Sequence, residues 1–241
     1  MGARLTPIKK QKAMKIHPII ICLLSVCALA ACSGMNDNID QYLSQGETIY
    51  IAKPDSVHLF AGKDRFKIEF WVRDPRATGL TVYWAQRSRS LTIPLPAGRD
   101  MDEVVTAVVD ENTPEGQYSL ILITEDGKGH FSIPDEENVS VYGELFQNSL
   151  NNRLVDSRSI SGSTVTVNWG NCYSAQEAGI RVWYTDTAGA ACEVTYPTAE
   201  LGASSVIKNV DLTKEMSYST LYLPEKTAID TFYTAKAVIE L

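Results

Sequence analysis

Beyond Pro54 apolar and polar residues alternate with a period of two. Phe66, Ile68 and Phe70 are separated by Lys67 and Glu69, and Leu80, Val82 and Trp84 by Thr81 and Tyr83. Alternation of this kind sends one set of side chains to each face of an extended chain, so it predicts antiparallel strands with one buried face. Further strands are predicted over residues 90–95, 104–109, 117–124 and 130–133. The pair Asp126-Gly127 supplies the positive-φ residues of a tight turn before the last of these. Asp135-Glu136-Glu137, following Pro134, reads as a solvated loop, and no comparable stretch carries a helical period.

The same order recurs about 100 residues later. Residues 165–169 answer 66–71, 180–184 answer 80–84, 206–210 answer 104–109, and 218–223 answer 118–123. About 100 residues is the size of an immunoglobulin-like or fibronectin type III-like sandwich, in which two sheets bury alternating side chains between them. The predicted fold is all-β, with two tandem sandwiches over residues 54–140 and 154–241. Residues 141–153 join them, and Tyr142, Leu145, Phe146 and Leu150 make this connector too apolar for a flexible linker. A single twelve-stranded domain is the alternative.

The first 31 residues have a different character. Lys9, Lys10, Lys12 and Lys15 form a positive region, residues 19–31 form an apolar run, and Leu29-Ala30-Ala31 leads into Cys32. That is the pattern of a bacterial lipoprotein signal, complete whether translation starts at Met1 or Met14. The apolar run is shorter than the ~20 residues that span a bilayer. Cleavage before Cys32 and lipidation of that cysteine would anchor the chain to a membrane surface. Residues 32–53, mostly polar as far as Tyr50, read as a tether.

Removal of the signal changes the charge. Five of 22 basic residues precede Cys32 and no acid does, which leaves 17 basic against 29 acidic residues, a net charge of −12. So acidic a surface argues against nucleic acid as a partner and is compatible with neutral glycans or proteins. Two cysteines stay in the mature chain, Cys172 and Cys192, in a compartment that permits a disulfide. A strand of roughly 5–6 residues at ~3.3 Å each is predicted between them, against the ~4.4–6.8 Å that a disulfide requires between Cα atoms.

On these residues the chain resembles a lipoprotein family of Bacteroidetes, a domain of unknown function found among surface proteins and glycan-utilisation gene clusters. The likeness rests on Tyr42, Gly46-Glu47, Tyr50 and Lys53-Pro54-Asp55-Ser56, on Val82-Tyr83-Trp84, and on Val141-Tyr142-Gly143-Glu144 with Ser149-Leu150 and Asn152-Arg153. It implies an outer-membrane, surface-exposed protein with fibronectin type III-like folds, and it carries over no catalytic residue. It also implies O-glycosylation at Asp-Ser/Thr-small-apolar triplets, which nominates Ser56 and Thr187.

Candidate chemistry is sparse. Only His58 and His130 outlast the signal, no serine sits in a Gly-x-Ser-x-Gly elbow, and no looped Asp-x-Asp-x-Asp-Gly pattern is present, so no catalytic residue, metal or cofactor is predicted. Binding is the better candidate. Strand parity places Trp183 and Arg181 on the face opposite Ile180, Val182 and Tyr184, gives Tyr83 the same outward parity, and puts Trp71 out of step with Phe66, Ile68 and Phe70. An outward aromatic beside an arginine suits the C–H side of a sugar or a partner's side chain; the alternative is packing under loops or against the other domain. Trp84 and Trp169 have core parity. Two functions are expected, glycan capture or a scaffold within an outer-membrane assembly.

Overall fold

Residues 48–110, 113–202 and 204–241 are described by a computed structural model of the chain. The signal segment, Cys32 and most of the tether lie outside the described residues. Every element below lies within one unit, Tyr50–Leu241.

Seven strands, β1 (Asp55–Ala61), β2 (Phe66–Trp71), β3 (Gly79–Trp84), β4 (Arg89–Pro94), β5 (Val105–Val109), β6 (Gly116–Glu125) and β7 (Asp135–Val141), form two sheets ordered β1-β2-β5 and β4-β3-β6-β7. After a short helix, α1 (Glu144–Ser149), the pattern repeats. Strands β8 (Val155–Ser161), β9 (Thr164–Trp169) and β12 (Ser204–Ile207) form one sheet. Opposite it lie β11 (Ala191–Pro197), β10 (Glu177–Thr185), β13 (Met216–Tyr222) and β14 (Phe232–Tyr233), with β15 (Ala237–Ile239) also paired to β13. All these pairings are antiparallel. In both halves the fourth strand stays beside the third, as in a fibronectin type III sandwich; three strands face four in the first half and five in the second, where β14 and β15 share the edge of β13.

Each sandwich has its own core. Phe66, Ile68 and Phe70 of β2 meet Leu80, Val82 and Trp84 of β3 and Leu120 and Leu122 of β6, with Phe66 and Trp84 edge to face at 6.4 Å between centroids. In the second half Val165, Val167 and Trp169 meet Ile180, Val182, Met216 and Tyr218. Alternation therefore reads directly into burial: β2 runs buried, intermediate, buried along its length.

Two expectations need correction. Asp135-Glu136-Glu137 is not a loop but the start of β7, paired to Leu120–Leu122, and Val141 closes that strand instead of opening the connector. Its acids escape detection because β7 is an edge strand whose first half buries no residue, and charged edges resist further strand pairing. Residues 130–133 form only an isolated bridge, Glu125 to Phe131. The connector is also ordered. The carboxylate of Glu115 accepts the N–H groups of Leu145 (2.7 Å) and Phe146 (2.9 Å), satisfying donors that the first turn of α1 leaves orphaned. Residues 151–153 then lie along β13: Arg153 N–H donates to Thr220 Oγ1 at 2.8 Å, while the hydroxyls of Tyr218 and Tyr222 donate to the carbonyls of Arg153 and Asn151.

Candidate functional site

The aromatic candidates all face outward and all are engaged. Trp183 donates its indole N–H to Glu193 Oε2 at 2.7 Å, and the ammonium of Lys236 lies 3.9 Å from the centre of its ring. Arg181 places its guanidinium 5.0 Å from the ring of Tyr233 and forms an ion pair with Glu193 at 3.2 Å. Tyr233, Arg181, Glu193, Trp183 and Lys236 thus form one ladder across the outer face of the β11-β10-β13 sheet. Cation–π contacts of this exposed kind contribute about 0.5–1 kcal/mol each. Trp71 donates to the carbonyl of Asp102 at 3.1 Å and meets His58 edge-on at 5.8 Å. Tyr83 opens on a hollow of about 600 Å³ with Gln117 and Ile121, and Arg87 sits 5.8 Å from its ring. The β3–β4 turn beside it runs Ala85, Gln86 and Arg87 at φ 49°, 57° and 64°. Left-handed conformations in non-glycine residues cost roughly 1–2 kcal/mol each, offset in part by the Ser88 N–H and hydroxyl, which both bind the Ala85 carbonyl.

The remaining predicted positions are apart from these. Cys172 and Cys192 are free thiols, one in the loop before β10 and the other opposite Tyr184 at the far end of that strand. Ser56 is exposed in the irregular start of β1 with φ 51°. Thr187 is exposed in the β10–β11 turn, where Asp186 Oδ1 accepts the N–H groups of Ala188 and Ala190. His130 lies 2.7 Å from Asp126, and that carboxylate also accepts the N–H groups of Lys128 and His130, so the pair staples a turn. Among the described residues no three His, Cys, Asp or Glu side chains gather as metal ligands, and no helix is long and apolar enough to cross a membrane.

Sequence reasoning missed two features, both at the connector. The first is a clasp between the sandwiches. Asp230 accepts from Arg65 Nε (2.9 Å), Arg65 Nη2 (2.6 Å) and the Lys63 N–H (2.8 Å), and Ile229 N–H donates to the Ala61 carbonyl at 2.8 Å. Behind the ion pair Phe146 stacks edgewise on Tyr142 and on Phe232 at 4.9 and 5.0 Å. The Arg65 guanidinium, and secondarily the Lys63 N–H, hold the Asp230 carboxyl below the usual carboxylate range against the opposing effect of burial. The second feature is a cleft of about 590 Å³ where the connector meets the β9–β10 loop. Its wall includes a buried ion pair, Arg153 to Glu177 at 3.1 Å, and Arg153 also donates to the Gly170 carbonyl. Tyr173, 85% exposed, stands on its rim. The one sequence signal at both features was the run of apolar residues in the connector.

Two sandwiches with this strand order place the protein in the class of tandem fibronectin type III-like proteins. Within that class the chain belongs to DUF4998, a domain-of-unknown-function family whose profile matches residues 32–232. No curated protein matches it. Among solved structures it is similar to a two fibronectin type III domain segment from chicken tenascin, at 14% identity and TM-score 0.32, covering 79% of this chain and all of that one. It is also similar to the FN1–FN3 domains of chicken CNTN1, at 16% identity and TM-score 0.42, covering 79% of this chain and 66% of that one.

Proposed function

We propose that the protein is a lipid-anchored, non-catalytic interaction module: a stiff two-sandwich post that holds a partner at the outer face of the outer membrane. The observation that carries this reading is the clasp. A charge-assisted, bidentate ion pair backed by three aromatic rings fixes one sandwich against the other, which a scaffold requires and a string of independent beads does not. Lipidation of Cys32, which directly follows the signal of residues 1–31, supplies the anchor, and the net charge of −12 keeps nucleic acid away.

The test expresses the full chain and its Cys32→Ser variant in a diderm bacterium. Wild type should sediment with outer membranes, be shaved from intact cells by added protease, and migrate on native gels of solubilised membranes in an assembly larger than the 26.6 kDa of the uncleaved chain. Cys32→Ser should leave the membrane fraction. A serine variant that stays membrane-bound refutes the anchor, and wild type that migrates only as a monomer refutes the scaffold.

Carbohydrate capture is the second reading, favoured by the exposed Tyr173 on a polar cleft. Trp183 and Trp71 support it less, since their indole N–H groups are bonded within the protein and their rings already meet Lys236 and His58.

A further inference from the structure

We infer that the cleft between the connector and the β9–β10 loop is a binding site for a neutral saccharide, an inference that rests on the carbohydrate reading above. Three observations select the ligand class. First, the lining holds one acid and one base, Glu177 and Arg153, and they neutralise each other at 3.1 Å with side chains only 3% and 9% exposed. A charged ligand finds no free counter-charge there. Second, planar side chains surround the pair. Asn171 makes no hydrogen bond among the described residues, Gln176 spends only its Nε2, on the Pro224 carbonyl, and the Asn151 amide makes one long contact of 3.4 Å to the Ser149 carbonyl. Amides and carboxylates of this shape bind vicinal hydroxyls two at a time. Third, Tyr173 offers an aromatic face that is 85% exposed on the rim, which suits the C–H side of a pyranose.

An extended peptide fits less well. Such ligands add to free backbone edges, and the connector backbone here is already used: the Asn151 and Arg153 carbonyls by Tyr222 and Tyr218, and the Arg153 N–H by Thr220.

The test runs the full chain, solubilised in detergent, on native gels cast with dextran, mannan, xylan or galactan, with polygalacturonate as the anionic control, and probes an array of random peptides in parallel. Tyr173→Ala and Asn171→Ala replace exposed side chains, and Trp183→Ala is the comparison. Retardation by at least one neutral polysaccharide is expected, weakened about tenfold or more in Tyr173→Ala or Asn171→Ala at unchanged Tm, as for truncation of a central contact, and retained in Trp183→Ala. Retardation that survives both cleft substitutions overturns this site and leaves carbohydrate capture standing. Absence of retardation by every neutral polysaccharide, or retardation by polygalacturonate alone, overturns both. A peptide signal lost in Tyr173→Ala overturns the saccharide assignment in favour of a peptide.

Discussion

Removing the Arg65–Asp230 ion pair should uncouple the two sandwiches. The pair is bidentate, at 2.6 and 2.9 Å, with the Arg65 side chain 42% exposed and that of Asp230 20% exposed. An exposed ion pair contributes about 0.2–1 kcal/mol, and loss of one partner of a fully buried pair costs about 3–5 kcal/mol. Solvent screening at Arg65 keeps this pair near the lower limit, while its bidentate geometry raises it, so a coupling energy of about 1–1.5 kcal/mol is expected. Asp230→Ala alone should cost about 2 kcal/mol, since the Lys63 N–H also loses its acceptor. A double-mutant cycle with Arg65→Ala and Asp230→Ala, read by urea unfolding, measures the coupling. Tryptophan fluorescence reports on both halves, because Trp71 and Trp84 lie in the first and Trp169 and Trp183 in the second. Wild type should unfold in one transition, and the double variant in two. A coupling energy below about 0.3 kcal/mol, within the error of additivity, together with a single transition in every variant, would refute the clasp.

Other substitutions probe separate contacts. Gly62→Ala should open the clasp without removing a charge, because an added Cβ would lie 2.7 Å from Asp230 Oδ2 and 2.9 Å from both the Arg65 carbonyl oxygen and Ile229 Cγ1. The cost should be about 1–3 kcal/mol, as for other overpacked sites, and a variant as stable as wild type contradicts the close approach. Ser205→Ala strands the buried Trp169 indole N–H, now bonded at 2.9 Å, and should cost about 1–3 kcal/mol, confined to the unfolding transition of the second sandwich in the Arg65→Ala/Asp230→Ala background. Acid should weaken the clasp as well. The folded-state pKa of Asp230 is depressed, chiefly by Arg65, so its contribution is complete above the unfolded value of about 3.9 and is lost as pH falls through the lower folded value. The gap in urea midpoint between wild type and Asp230→Asn should therefore be constant from about pH 5 to 7 and shrink below about pH 4; an equal gap at pH 3 contradicts the assignment.

The sandwiches were legible in the sequence where one sheet face is buried. Phe66-Ile68-Phe70 and Leu80-Val82-Trp84 alternate because a one-residue slip would turn every apolar side chain to water, so burial writes a period of two into the chain. Edge strands are under no such demand. Strand β8 has no buried residue and β7 opens with three acids, and neither carries a readable pattern. The outward parity of Trp183, Arg181, Trp71 and Tyr83 was legible for the same reason as the cores. What their side chains touch was not, because Lys236 and Asp102 come from segments whose placement depends on the whole fold. The cleft was invisible on the same ground: Asn151, Asn171 and Gln176 lie in irregular segments with no periodicity to read.

The connector links the two features that the sequence hid. Phe146 stacks on Phe232 at 5.0 Å within the clasp, and the same residue lines the cleft. Its position on α1 is set by Glu115, a residue of the first sandwich, through the hydrogen bond to its N–H. A ligand in the cleft therefore rests partly on the first sandwich, although Tyr173, Gln176 and Glu177 all belong to the second. Binding and inter-sandwich orientation are then linked to the extent that the position of Phe146 differs between clasped and open arrangements, and the linkage is reciprocal. If the cleft is complete only when the clasp is closed, Asp230→Ala should weaken ligand by the fraction of time the clasp is open. At a clasp energy of about 2 kcal/mol that fraction changes by up to roughly thirtyfold, yet affinity falls appreciably only once the open form becomes a major population. A cleft that keeps wild-type affinity in a variant shown by scattering to be open would separate the two functions and leave the clasp a purely mechanical part.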